Sequence, residues 1–190
     1  MTKLLCVYCA SSPKIDAKYY AAAEALGRGL VAHGWGLIYG GGNLGSMGVL
    51  ANAVKSAGGT VVGVIPDFMQ ERELAFTAAD ELVVVSTMRE RKRIMEDRAD
   101  AFVTLPGGIG TLEELSEILV SRYLNRHGKP LVLVNQDGFY DELLKFFERM
   151  TRENFKTAGL ERVLRVVPDV DAVWTALKRP DGFEVDALWK

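Results

Sequence analysis

The stretch that decides the fold is residues 87–117, TMRERKRIMEDRADAFVTLPGGIGTLEELSE. Thr87 and Glu90 have the spacing of a capping box, which predicts that a helix begins here. The segment at residues 100–105 is short and mainly apolar, as a buried strand would be, and the glycine turn at residues 106–111 ends that strand. A second helix follows the turn. Helix, strand, turn and helix in this order are typical of an α/β protein.

The first of these helices carries cations on its apolar face. Three-and-four spacing gives a stripe through Met88 and Met95, and Arg91 and Lys92 occupy the slot between them. A cation on a core-facing stripe needs a partner. One interpretation pairs Arg91 with a structural carboxylate on an otherwise solvated helix face. The other places Arg91 in a pocket that faces the turn at residues 106–111, where free N–H groups and the helix dipole would bind a phosphate.

A second glycine-rich turn, YGGGNLGSMG at residues 39–48, follows another apolar stretch. Gly40, Gly42 and Gly45 match the dinucleotide fingerprint, but the next strand ends in Val-Ile-Pro at residues 64–66, without the acidic residue that binds a ribose. No Walker A motif occurs either. Two interpretations stay open for these glycines: a tight turn with close packing, or the approach of a mononucleotide to the backbone.

The remaining chain alternates between apolar strands and amphipathic helices. Since such strands are buried on both faces, we expect a Rossmann-like, doubly wound parallel sheet of about seven strands with helices on both faces. Ligands bind such folds at the carboxyl edge of the sheet, so the turns after three strands should converge there. Those turns are residues 9–12, 39–48 and 105–111. Strands are predicted at residues 3–9, 35–39, 60–65, 81–86, 100–105, 131–134 and 163–167, and further helices at 16–32, 46–57, 139–152 and 170–177.

Composition limits the class of protein. A chain of 190 residues that is 48% hydrophobic can bury one substantial core, so residues 1–190 are expected to form a single domain. The net charge of −2 offers no basic field, so a small-molecule substrate is expected and nucleic acid is not. No apolar run is long enough to cross a membrane. Cys6 and Cys9 are expected to be reduced thiols, as in a cytoplasmic protein.

The start of the second helix leaves two interpretations for its acidic residues. Thr111 and Glu114 have capping-box spacing, so Glu114 could serve only to hold the N-terminus of the helix, which we expect to begin near Gly110. Alternatively, Glu113 and Glu114 face the sugar of a bound nucleotide or a water molecule near its anomeric carbon. Neither a metal-ligand cluster nor a serine-nucleophile motif occurs in the sequence.

Four segments together resemble the LONELY GUY-type phosphoribohydrolase family, whose members are often misnamed lysine decarboxylases. They are YGGGNLGSMG at residues 39–48, Arg72-Glu73-Leu74, MRERK at residues 88–92 and PGGIGTLEE at residues 106–114. The resemblance extends from the N-terminus to about Leu177. It implies a cytoplasmic homodimer that needs no cofactor. It also implies hydrolysis of cytokinin riboside 5'-monophosphates, and commonly AMP, to the free base and ribose 5-phosphate.

The resemblance also implies site residues. The family's catalytic arginine falls on Arg91 and its catalytic glutamate on Glu114, where the carboxylate would stabilise the sugar or activate water and the guanidinium would stabilise the leaving base. Substrate-binding candidates, from the resemblance and the turns, are Ser12, Gly41, Gly42, Glu73, Lys92, Gly107, Gly108, Ile109, Gly110, Thr111 and Glu113.

The sequence departs from the family at Val120, where members often have a threonine, so the preferred base is not determined by the resemblance. A nucleotide-binding or cofactor-carrier protein without turnover is the alternative function.

Overall fold

The structure is a computed structural model that describes residues 2–155 and 163–178. Its strands are β1 (Lys3–Tyr8), β2 (Trp35–Tyr39), β3 (Val61–Pro66), β4 (Glu81–Val85), β5 (Ala101–Thr104), β6 (Leu131–Val134) and β7 (Leu164–Val167). Its helices, in the same described residues, are α1 (Ala17–Ala32), α2 (Gly45–Ser56), α3 (Met88–Arg98), α4 (Ile109–Tyr123), α5 (Asp141–Arg152) and α6 (Asp171–Lys178).

The strands form one parallel sheet in the order β4-β3-β2-β1-β5-β6-β7. From β1 the chain adds β2, β3 and β4 on one side, then returns to add β5, β6 and β7 on the other. The order therefore reverses between β1 and β5. The carboxyl ends of these two strands border the crevice in which such sheets bind ligands.

Two apolar layers cover the sheet. Leu5 and Val7 of β1 face a layer that contains α1, α2 and α6. Cys6 and Tyr8 point to the opposite face, which is covered by α3, α4 and α5. Because side chains alternate along a strand, each central strand contributes to both layers, which is why its sequence is almost continuously apolar. The predicted fold class, a doubly wound parallel sheet with helices on both faces, is confirmed.

The predicted element boundaries agree with the observed ones to within two residues, and two of the differences have a local cause. Strand β3 continues through Pro66, which is tolerated because it is the last strand residue. Helix α5 begins at Asp141 instead of residue 139, because a 3-10 turn precedes it in which Asp137 has a φ of 52°. Within the residues that the structure describes, no helix is long and apolar enough to span a membrane.

Candidate active site

The turns after β1, β2 and β5 meet at the carboxyl edge of the sheet. The Ser46 hydroxyl, at the start of α2, donates to the carbonyl of Ala10 and accepts from its N–H, both at 3.0 Å. The Thr111 hydroxyl, in the first turn of α4, donates to the carbonyl of Cys9 at 3.1 Å. The predicted convergence is therefore confirmed. Ser12, a predicted binding residue, lies exposed beside Gly45 in the same place.

Arg91 is anchored at this edge by backbone carbonyls. Its side chain is buried, its Nε donates to the carbonyl of Val64 at 3.1 Å, and one terminal nitrogen, Nη2, donates to that of Gly40 at 2.7 Å. A Cβ on Gly40 would lie 1.8 Å from Nη2, so only glycine leaves room for the guanidinium. The cation on the apolar stripe thus has partners, and its hydrogen bonds go to two strand ends instead of to a carboxylate.

The other terminal nitrogen of Arg91 keeps donors for a ligand. Among the described residues, the contact of Nη1 is with the Met88 sulfur at 3.9 Å, which is a weak acceptor. A guanidinium carries five N–H donors in a fixed plane, and the carbonyls of Gly40 and Val64 take up only the Nε side and Nη2. The anchored geometry therefore presents a fixed positive charge with unused donors at Nη1.

Glu73 brings a carboxylate to Arg91. The segment after β3 folds back over the glycine turn, where Asn43 N–H donates to the carbonyl of Glu73 at 2.9 Å and Ala75 bridges to Gly42. Glu73 Oε2 lies 3.7 Å from Arg91 Nη2 and is buried without a hydrogen-bond partner among the described residues. Burial raises the pKa of Glu73, although the Arg91 charge opposes this change. Its buried oxygen is an acceptor that a ligand hydroxyl could satisfy.

The alternative that gave Glu114 a purely structural role is wrong. Helix α4 begins at Ile109, its N-cap is Gly108, and no side chain caps it. Thr111 is therefore the third helical residue and its hydroxyl bonds the carbonyl of Cys9, so Thr111 and Glu114 form no capping box. No hydrogen bond within the described residues occupies the Glu114 carboxylate. The glutamate is free to act on a ligand.

The environment of Glu114 changes its acidity. Burial raises the pKa of Glu114 from 4.5 to about 7, the Arg91 charge opposes the change, and the carboxylates of Glu73 and Glu113 add to it. Arg91 and the glutamates at 73 and 114 therefore form one electrostatic cluster. A carboxyl group with a pKa near neutrality can exchange a proton during a reaction at physiological pH.

The N-terminus of α4 is open to a ligand. The first N–H groups of any α-helix have no partner inside the helix, and in α4 no side chain caps them. Gly107 is required by packing, because a Cβ there would lie 2.2 Å from the Thr111 hydroxyl. A Cβ on Gly108 or Gly110 would meet no atom within 4 Å, and Ile109 is 84% exposed. The protein thus leaves the backbone of residues 108–110 uncovered, as an anion that approaches the N–H groups would need.

Lys92 contacts the same helix through its carboxylates. Its Nζ lies 2.7 Å from Glu113 Oε1 and also pairs with Glu117. Burial lowers the pKa of Lys92, but the hydrogen bonds to these two glutamates outweigh it, so the pKa is raised. Glu117 was not predicted from the sequence, although its four-residue spacing from Glu113 was a usable signal.

Packing accounts for the other glycines of the second turn. Gly41 has a φ of 75°, and a Cβ on Gly42 would lie 2.9 Å from the Met47 methyl group and 3.1 Å from Glu73 Oε2. These contacts favour the packing interpretation. They do not test the binding role predicted for Gly41 and Gly42, which stays a prediction. The carbonyls that hold Arg91 had no signal in the sequence, since any residue supplies a carbonyl.

Comparison with known proteins places this chain in a family. A family model described as "Possible lysine decarboxylase" matches residues 47–177, more than half of the chain. The cytokinin riboside 5'-monophosphate phosphoribohydrolase of Mycobacterium tuberculosis is 48% identical over 164 residues, which cover 86% of this chain and 87% of that protein. The enzyme of that name from Oryza sativa subsp. japonica, LOG, is 41% identical over 187 residues, 97% of this chain and 77% of that protein.

Solved structures with the same fold include a second kind of protein. The molybdenum cofactor carrier protein of Chlamydomonas reinhardtii superposes with a TM-score of 0.72 at 25% identity, over 94% of this chain and 97% of that protein. The identity to the hydrolases is considerably higher, and it extends over nearly the whole chain. The chain therefore belongs to the family of cytokinin riboside 5'-monophosphate phosphoribohydrolases, whose family model is described as possible lysine decarboxylases.

Proposed function

We propose that the protein hydrolyses the N-glycosidic bond of riboside 5'-monophosphates, cytokinin nucleotides and AMP among them, to give the free base and ribose 5-phosphate. The observation that carries this proposal is the electrostatic cluster of Arg91 and Glu114 beside an uncapped helix N-terminus. Hydrolases of this name, at 41% and 48% identity, support it.

In the proposed mechanism, water attacks the anomeric carbon while the bond from that carbon to the base nitrogen breaks. The sugar gains oxocarbenium character and the bonding electrons leave with the base. The ionised Glu114 stabilises the sugar and accepts the proton of the attacking water. Arg91 stays protonated, so it stabilises the negative charge on the departing base through Nη1 instead of donating a proton to it. The base takes its proton from solvent.

Two features of the site fit a riboside 5'-monophosphate, and the first of them favours nucleotides over nucleosides. The uncapped N-terminus of α4, at Gly108, would bind the 5'-phosphate through backbone N–H groups and the helix dipole. The buried Oε2 of Glu73 would accept a hydrogen bond from a ribose hydroxyl, which would relieve its lack of a partner. The ribose 5-phosphate part of the substrate would then be fixed at two points, on the sugar side of the bond that breaks.

Lysine decarboxylation fits this site poorly. A pyridoxal enzyme needs a neutral lysine amine to form a Schiff base. Lys92, the lysine next to Arg91, is paired with Glu113 and Glu117, and its raised pKa keeps it protonated. The positive charge removes the lone pair that a Schiff base requires.

The test is to incubate the purified protein with AMP and with isopentenyladenosine monophosphate and to measure the free base by chromatography. We expect base release by the wild type and about 100-fold less by Glu114→Gln, because a general base contributes at least about that factor. Relative rates for the two nucleotides would show what Val120 does to base preference. Intact nucleotides after prolonged incubation would refute the hydrolase.

The cofactor-carrier likeness gives the second candidate function. The carrier of Chlamydomonas reinhardtii shares the fold over nearly the whole chain. A carrier of this kind would bind AMP and leave it intact, so a calorimetric titration with AMP separates the two candidates. Binding without base release would support the carrier, whereas base release would exclude a purely non-catalytic role.

We also propose that the protein is a cytoplasmic homodimer. Val120 of α4 and Leu124, the C-cap residue of that helix, are 54% and 45% exposed and form an apolar strip at the end of the helix that carries Glu114. A second copy could cover such a strip. The free, buried thiols of Cys6 and Cys9 suit a reducing compartment. Light scattering should give a dimer mass for the wild type and a monomer mass for Val120→Asp; a monomeric wild type would refute the dimer.

A further inference from the structure

Two rungs of polar side chains connect α3 and α4, which run parallel on one face of the sheet. In the first rung, Lys92 of α3 pairs with Glu113 and Glu117 of α4. In the second rung, one turn further along both helices, the Ser121 hydroxyl donates to Glu96 Oε1 at 2.7 Å. Residues four apart share a helix face, so the rungs lie on the facing sides of the two helices.

The first rung lies directly beside the proposed catalytic pair. Lys92 follows Arg91 in α3, and Glu113 precedes Glu114 in α4. Neighbouring residues on a helix point about 100° apart, so Arg91 reaches the strand ends while Lys92 reaches α4. The Lys92 side chain is 14% exposed, whereas its partners Glu113 and Glu117 are 56% and 47% exposed, so these ion pairs are shielded from water on the lysine side only.

The second carboxylate of this rung has no other assigned role. Glu113 adjoins Glu114 and belongs to the predicted substrate-binding set. A bound phosphate would lie at the N-terminus of α4, and Glu117 is one helical turn further from that end than Glu113. Glu117 nevertheless pairs with the same ammonium group, that of Lys92. A lysine between two carboxylates is restrained in direction more strongly than a lysine with one partner.

We propose that Glu117 is a positioning residue for the hydrolysis. Through Lys92 it fixes α3 relative to α4, and so it sets the position of Arg91 against Glu114. This inference rests on the proposed function, because it assigns Glu117 a part in that reaction. Small misplacements of reacting groups lower the rate of a reaction considerably. The hydrogen bonds from Arg91 to backbone carbonyls fix the arginine, and they do not act on Glu114.

The experiment compares Glu117→Gln with Asp97→Asn by steady-state kinetics on AMP and isopentenyladenosine monophosphate. Asp97 is the matched control, because it also pairs with a cation of α3, Arg93, but this pair lies within one helix and both side chains are exposed. For Glu117→Gln we expect kcat to fall about fivefold with KM within about twofold of the wild type, since alignment is disturbed and phosphate binding is not. Asp97→Asn should match the wild type.

A charge exchange separates positioning from mere stability. The double variant Lys92→Glu with Glu117→Lys keeps an ion pair between the helices, so its kcat should exceed that of Lys92→Glu, which lacks the lysine at residue 92 equally. A double variant whose kcat is no higher than that of Lys92→Glu would overturn the proposal. Provided that the wild type cleaves the nucleotides, a Glu117→Gln enzyme with the kcat of the wild type would also overturn it, whether or not its KM is changed. A wild type without turnover would instead remove the proposed function itself, and the positioning role with it.

Discussion

Replacing Glu114 with glutamine should stabilise the protein while it lowers turnover about 100-fold. In the folded state, burial raises the pKa of this carboxyl from 4.5 to about 7, and that value already contains the opposing effect of Arg91. At pH 8 the Glu114 side chain of the wild type is therefore mainly ionised, in an environment that favours its neutral, protonated form. Glutamine has the shape of the protonated acid and carries no charge, so the variant is free of this cost.

The magnitude follows from the size of the change. Each pKa unit corresponds to about 1.4 kcal/mol, so the full cost of the ionised Glu114 is about 3 kcal/mol. Because the side chain is only partly buried and solvent screens it, we expect Glu114→Gln to gain about 1–3 kcal/mol in free energy of unfolding at pH 8. The gain should shrink as the pH falls from 7 towards 4.5 and vanish below, where the wild-type carboxyl is protonated in both states.

Urea unfolding of both proteins at pH 4, 5, 6, 7 and 8 measures this difference. The control is Glu117→Gln, which removes a carboxylate from the same helix; that group is an ion-pair partner of Lys92, so its loss should not stabilise the protein. A Glu114→Gln protein that is less stable than the wild type at pH 8, or a difference that does not depend on pH, would refute the argument. Glu114 would then not be held at an energetic cost for function.

Three further predictions concern the same site. For the wild type, kcat/KM should rise with pH through about 7, the pKa of Glu114, because the reaction uses the carboxylate; a profile that is flat from pH 5 to 9 would contradict this. Arg91→Lys should lower kcat about 100-fold and cost about 1–3 kcal/mol of stability, because one ammonium cannot serve both carbonyls that the guanidinium binds; calorimetry and base release measure the two effects. Gly40→Ala should abolish turnover, because the added Cβ displaces Arg91. Gly108→Ala should keep the thermal stability of the wild type and raise the KM for AMP about tenfold, because the added methyl group obstructs the phosphate. Equal KM values for Gly108→Ala and the wild type would exclude phosphate binding at the N-terminus of α4.

The fold could be predicted because its signals are local and redundant. Apolar strands alternate with helices along the chain, and a feature such as the capping box of Thr87 and Glu90 is contained within four residues. Both of its hydrogen bonds are present in the structure. The strand order could not be predicted in the same way, since it depends on which buried faces meet, and periodicity records only that a face is buried.

The site was predictable where chemistry is carried by side chains. Arg91 was expected to need a partner because a cation occupied an apolar stripe, and the structure supplies partners for it. Their nature was not predictable, because the carbonyls of Gly40 and Val64 leave no trace in the side-chain sequence. The capping-box alternative for Glu114 failed for a related reason. Helix α4 begins two residues before Thr111, with no capping side chain to mark its start.

The glycine turn at residues 39–48 shows how identical letters can describe different sites. In a dinucleotide fingerprint, the glycines make room for a pyrophosphate. Here Gly40 makes room for the guanidinium of Arg91, Gly42 lies against Glu73, and Gly45, with a φ of 59°, lets α2 approach the carbonyls after β1. The first two glycines thus accommodate the charged groups of the protein itself. The motif therefore places an arginine and a carboxylate at the strand ends, the two groups to which the proposed function assigns stabilisation of the leaving base and binding of the ribose.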